Sequence, residues 1–167
     1  AYKECCAFPD WFGLTLPLLK YGLPIQPVYF DHMVRYDEYL RKYRYLILSY
    51  EFMKPESEEF HHKLVEWVKQ GGTLFYIGKD FDPYNYLQEW WQKFFCDTPA
   101  QHLFAEFGMD KEPANGCYRI GEGNVLVWNE VPALLSVNEA IADKYRNWIR
   151  EDLRWADITG RCAIICR

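Results

Sequence analysis

The sequence predicts an α/β domain: a doubly wound, mostly parallel sheet with helices on both faces and a late β-hairpin. Three observations predict it. Residues 45–50 (Tyr-Leu-Ile-Leu-Ser-Tyr) and residues 73–77 (Thr-Leu-Phe-Tyr-Ile) are short apolar runs without alternation, the pattern of strands covered on both faces. Between them Phe60, Leu64, Trp67 and Val68 recur at i, i+4, i+7 and i+8, which is one face of a helix. Later, residues 117–120 and 124–128 flank Gly121-Glu122-Gly123, a hairpin signal.

The remaining elements follow in order. Asp10 opens a helix over residues 11–20, closed by Gly22. Residues 24–30 read as a strand, and Pro27 inside it favours a sheet edge. A helical stretch is expected over 36–43, where Tyr36, Tyr39, Leu40 and Tyr43 share a side. Pro55 suits the first turn of the next helix, with Glu56, Glu58 and Glu59 at its positive end. Gly71 is placed to cap that helix in the left-handed conformation. Helices are expected over 83–95 and 99–107, and a long one from Ser136 or Asn138 to about Leu153 with Ile141, Tyr145, Trp148 and Ile149 inward. Residues 163–165 begin a last strand. With 167 residues and no linker, residues 1–167 form a single domain. The absent initiator Met and the apolar last residues lead us to expect a segment excised from a longer chain.

Composition bounds the function. Half of the residues are hydrophobic and 19% are aromatic, enough for a packed core. The net charge of −5, without a Lys/Arg cluster, does not suit a nucleic-acid backbone, and no apolar run reaches the length of a bilayer span, so neither nucleic acid nor membrane is expected as a partner. Cys5, Cys6, Cys96, Cys117, Cys162 and Cys166 show no CxxC pair and no zinc-type spacing. They read as buried thiols, and no metal or cofactor is expected.

In an open α/β sheet, ligands bind beyond the carboxyl ends of the parallel strands. Three strand ends supply candidates if the strands are neighbours: Asp31 and His32; Ser49, Tyr50 and Glu51; Gly78, Lys79, Asp80 and Asp82. The crevice set is therefore Asp31, Tyr50, Glu51, Lys79, Asp80 and Asp82. Asp80 and Asp82 are too few for a hard cation, and Asp82 before Pro83 reads as a helix cap. Glu51 and Asp80 could pair as acid and base, but a salt link to Lys79, or plain solvation, is the plainer reading. His61 and His62 project about 100° apart on their helix, which disfavours joint chelation, and Glu58 and Glu59, one turn before His62 and Lys63, read as surface pairing. His102 stands alone in the sequence. No phosphate-cradling glycine loop and no GxSxG elbow is present.

Four stretches carry a resemblance. Gly13-Leu14-Thr15-Leu16-Pro17-Leu18-Leu19-Lys20-Tyr21-Gly22-Leu23-Pro24-Ile25 is similar to a helix, a lone glycine and an ingoing strand. Tyr45-Leu46-Ile47-Leu48-Ser49-Tyr50-Glu51-Phe52-Met53-Lys54-Pro55 is similar to the second strand and its turn. Leu64-Val65-Glu66-Trp67-Val68-Lys69-Gln70-Gly71-Gly72-Thr73-Leu74 is similar to the following helix, Gly-Gly and strand, and Gly121-Glu122-Gly123-Asn124-Val125-Leu126-Val127 to the late hairpin. In this order, over roughly residues 11–153, they resemble the class I glutamine amidotransferase-like (flavodoxin-like) domains built into multidomain glycoside hydrolases, including the trimerisation domain of certain β-galactosidases.

In that family the strand matched by residues 74–77 runs into a sharp turn bearing a nucleophilic Cys, assisted by a His from a later strand. Here the turn reads Ile77-Gly78-Lys79-Asp80, with no Cys. The resemblance thus implies a noncatalytic accessory or oligomerisation domain. Its partners would be the other domains of a parent chain, among them a catalytic barrel, and other copies of itself. Two alternatives stand beside it: a thiol-dependent hydrolase or amidotransferase using Cys96 or Cys117, and a carbohydrate-binding module presenting Trp90 and Trp91.

Overall fold

The computed structural model describes residues 9–23, 25–51, 53–79, 82–86, 89–153 and 161–166. Helix α1 (Pro9–Leu19) leads into β1 (Ile25–Tyr29), and the chain turns directly into α2 (Phe30–Arg35). A 3-10 turn (Tyr39–Lys42) precedes β2 (Tyr43–Leu48), α3 (Glu59–Lys69) and β3 (Thr73–Ile77). Two 3-10 turns, Pro83–Tyr86 and Trp90–Phe94, come before α4 (Pro99–Glu106). The chain continues through β4 (Gly116–Ile120), β5 (Gly123–Trp128), the short α5 (Leu134–Val137), α6 (Glu139–Leu153) and β6 (Arg161–Cys166).

The described strands form one sheet in the order β1-β6-β2-β3-β5-β4. Every neighbouring pair is parallel except β4 with β5, which pair antiparallel from Gly116↔Val127 to Ile120↔Gly123. β1, with Pro27, is an edge strand. Along the inner strands alternate residues enter two separate cores. Leu46, Leu48, Leu74, Tyr76, Val125 and Val127 pack with residues of α2, α3 and α4. Tyr45, Ile47, Phe75, Ile77 and Leu126 pack with residues of α1, α5 and α6. This two-sided burial explains why β2 and β3 are continuously apolar.

Two close approaches fix the layers. A Cβ on Gly13 would stand 1.8 Å from the Pro132 carbonyl oxygen, so α1 lies directly on the start of α5. A Cβ on Gly123 would stand 2.1 Å from the Val68 oxygen and 2.2 Å from the Gly72 oxygen. The end of α3, the turn into β3 and the start of β5 therefore meet backbone to backbone. Gly71 closes α3 at φ +112°, outside the range L side chains adopt readily.

Three expected elements differ. The expected helix over 36–43 is displaced: Phe30 and Met33 are buried, Phe30 against Phe60, so the helix forms at 30–35 and Tyr36 is already extended. α3 begins at Glu59 rather than Pro55, because residues 53–58 are held as a loop: the Pro55 carbonyl accepts from Trp90 Nε1 at 2.8 Å, and Lys54 pairs with Asp82. The expected 83–95 helix is two 3-10 turns. Extended Glu89 interrupts it, Trp90 and Trp91 are anchored to the Pro55 and Asp97 carbonyls, and Phe95 ends it at φ +58°.

Candidate functional site

The carboxyl ends of β2, β3 and β5 form one rim, because these strands are neighbours. β1 is not beside β2, since β6 separates them. Asp31 and His32 therefore sit apart from the other candidates, in the first turn of α2, where Asp31 is exposed and complements the helix dipole. Asp80 lies outside the described residues.

The remaining candidates divide. Glu51 is buried, and its Oε1 accepts the Lys79 backbone N–H at 2.7 Å. Its own amide donates to Ser49 Oγ at 3.3 Å. The Lys79 ammonium turns to Glu130, 3.3 Å away, so the expected Glu51–Lys79 link runs through the backbone. Asp82 is only 1% exposed; Oδ2 meets Lys54 Nζ at 2.8 Å and Oδ1 accepts from the Tyr84 amide, the capping role its sequence context suggests. Lys54 Nζ also donates to the Tyr50 carbonyl at 2.6 Å. The rim is thus laced by structural bonds: Asp82 is paired with Lys54, and the buried Glu51 carboxylate is held by a backbone N–H.

Tyr50 does not line the crevice. Its ring turns into the core between the sheet and α3, and its hydroxyl is 2.6 Å from His61 Nε2. His61 Nδ1 in turn is 2.8 Å from Nδ1 of His102 on α4. Trp90 stands edge-on to both imidazoles. His61 and His102 are 0% and 3% exposed. The sequence reading had not placed His61 in the core, and His102, solitary in the sequence, has a partner. Burial holds the His61 imidazole well below its ordinary value, and the His102 and His62 charges add to that. Burial also lowers His102, against Glu106 and Glu58, which favour its charged form. The signal was present in α3: His61 lies three and four residues before Leu64 and Val65, on the apolar flank. No sequence pattern linked it to His102.

The two described thiols lie elsewhere, one buried as expected and one not; Cys5 and Cys6 fall outside the described residues. Cys96 is buried and donates to the Phe94 carbonyl at 3.5 Å; Cys117 is exposed on β4, the edge strand beyond β5. Trp91 is fully buried and Trp90 packs on the two histidines, so the pair presents no double aromatic platform. Among the described residues no group of three or more His, Cys, Asp or Glu is arranged to hold a metal ion, and no helix is long and apolar enough to cross a membrane.

A cleft of about 690 Å³ opens beside the β3 end of the rim. Tyr76, Gly78 and Lys79 border it from β3 and its turn, Asp97, Thr98 and Gln101 from the start of α4, and Lys111 and Glu112 from the loop before β4. No protein-family model, curated protein or solved structure significantly matches this chain.

Proposed function

We propose that the chain is a noncatalytic accessory domain of a larger carbohydrate-active, glycoside-hydrolase-like protein. In this reading its α/β sheet is a doubly wound, flavodoxin-like relative of the class I glutamine amidotransferase-like domains whose nucleophile turn has been lost. One observation carries the reading. At the β3 turn, where that chemistry requires a thiol facing a histidine, the backbone runs Gly78-Lys79 and the Lys79 amide is tied to the buried Glu51 carboxylate. The two buried histidines are engaged with each other and with Tyr50.

An accessory role needs a face that docks. α1 and α5 pack together and carry Trp11, Leu19, Leu134 and Val137 with substantial exposure, and Tyr21 follows α1. Several large apolar groups on one helix pair are the composition of a domain or subunit contact.

Two measurements test the reading on the longest natural chain containing this domain. Iodoacetamide at neutral pH should leave Cys96 unmodified in the native state, and glutamine should not be hydrolysed. A fast-reacting Cys96, or hydrolysis abolished by Cys96→Ala, replaces the reading with a thiol enzyme. Light scattering should show Trp11→Glu with Val137→Glu weakening self-association or loosening the domain from its neighbour, detected as faster proteolysis between them. No change in either would remove the docking role.

A further inference from the structure

We propose that the cleft at the β3 end of the rim binds a small, uncharged, polyhydroxylated molecule, of monosaccharide to disaccharide size. The inference is independent of the accessory reading: it concerns the cleft between β3, α4 and the loop before β4, and would hold in an enzyme as well.

The location is the one where open parallel sheets take ligands, beyond the strand carboxyl ends. A volume of about 690 Å³ suits a small molecule. The walls select its class. Lys79 and Lys111 supply two ammonium groups, Asp97 and Glu112 two carboxylates. Each cation is already engaged, Lys79 by Glu130 and Lys111 by the Phe95 carbonyl at 2.6 Å. The two carboxylates balance the two ammonium groups in the lining, so a phosphate or carboxylate ligand would meet no net positive charge and would face Asp97 and Glu112. A cationic ligand would face Lys79 and Lys111. Hydroxyl groups both donate and accept, so a polyol can use the carboxylates and the ammonium groups together.

The walls are also fixed in advance. Gln101 Oε1 accepts the Asp97 amide at 2.8 Å while its Nε2 donates to Glu112 at 3.1 Å, and Asn129 Nδ2 donates to the Pro113 carbonyl at 3.1 Å. Such bracing lowers the ordering cost of binding. An apolar patch lies within, where Tyr76 and Phe104 meet edge to face with centroids 5.0 Å apart.

Phe95 adjoins the cleft wall through the bond its carbonyl accepts from Lys111. It holds the left-handed conformation at φ +58° and, among the described large apolar side chains, is the most exposed, at 90%. A bulky residue in that conformation is strained, and strain of this kind collects at ligand sites.

The experiment is calorimetric titration, with backbone amide NMR shifts, of the intact chain. The panel is D-glucose, D-galactose, N-acetyl-D-glucosamine, lactose, cellobiose and myo-inositol, with inorganic phosphate, glutamate and putrescine as charged probes. At least one neutral polyol should bind saturably, shifting the amides of Lys79, Gln101 and Glu112, while the charged probes do not. Glu112→Gln should weaken that binding about tenfold. Gln92→Ala, in the cleft wall but outside the bracing bonds, should weaken it without moving Tm. Failure of every neutral probe overturns the proposal. So does preferential binding of phosphate, glutamate or putrescine, or polyol binding indifferent to Glu112→Gln and Gln92→Ala.

Discussion

His61 Nδ1 and His102 Nδ1 lie 2.8 Å apart in the core, although 41 residues separate them in the sequence. Two ring nitrogens at that distance share one proton: one donates, the other accepts. Two proton orders satisfy the chain. Tyr50 donates to His61, which donates to His102; or His102 donates to His61, which donates to the Tyr50 oxygen. Both rings cannot be charged together in this geometry, since two N–H groups would then oppose each other. The contact joins the loop after β2, α3 and α4.

This pair should make the fold acid-sensitive. Both imidazoles titrate below their ordinary value of 6.5, chiefly through burial. The unfolded chain therefore binds more protons than the folded one below that value. Stability is full above about pH 6.5 and falls as pH drops through the lowered folded values, by up to about 1.4 kcal/mol per pH unit for each ring. Glu58 and Glu106 soften the fall at His102 by favouring its charge. Asp10 acts oppositely and lower: burial raises its carboxyl from 3.8, so near that pH its protonation favours the folded state. Urea unfolding between pH 7.5 and 5 should show the loss, and His61→Leu with His102→Leu should flatten the pH dependence.

Tyr50→Phe should cost about 1–3 kcal/mol. The ring still fills its place in the core, but His61 Nε2 is left buried without its partner at 2.6 Å. Denaturant midpoints at pH 7.5 measure the loss. A change within a few tenths of a kcal/mol would mean that the hydroxyl contact contributes nothing net.

Gly123→Ala should destabilise by about 3 kcal/mol or more, since the new methyl would penetrate two carbonyl oxygens that belong to backbone and cannot rotate away. The substitution Gly116→Ala, on the neighbouring edge strand where the added Cβ meets only Tyr118 at 3.8 Å, should cost under about 1 kcal/mol. The difference in Tm between the two variants is the readout.

Lys54→Met should strand the Asp82 carboxylate, 1% exposed, without its ammonium partner at 2.8 Å. Loss of one member of a buried pair costs about 3–5 kcal/mol. The double variant Lys54→Met/Asp82→Asn should recover part of that loss. Glu51→Gln should act more locally, raising hydrogen exchange at the Lys79 amide, because a neutral oxygen replaces the carboxylate that accepts it.

Much of the sheet was legible because its signals are local. β3 stands at the residues its apolar run marked, and β2 lies beside it in parallel, with Leu46 facing Leu74. Pro27 marked an edge strand because proline lacks the ladder donor. Thr98 and Pro99 open α4, and the Asn138 side chain accepts from the Ile141 amide at the start of α6. The site was less legible. Glu51 and Lys79 were named together from two strand ends, but Asp31 was displaced by β6, which enters between β1 and β2 from the far end of the chain.

Sequence by itself determined where the apolar runs and caps fall, and that no thiol stands in the turn after Ile77. Those properties depend on the residue and its near neighbours. Tertiary structure alone decided that His61 meets His102, that Lys79 turns to Glu130, and that residues 83–95 break into 3-10 turns to anchor two tryptophans. The reason is physical: hydrogen bonds and ion pairs between distant residues depend on which strands become neighbours, and strand order is set by packing of the whole chain.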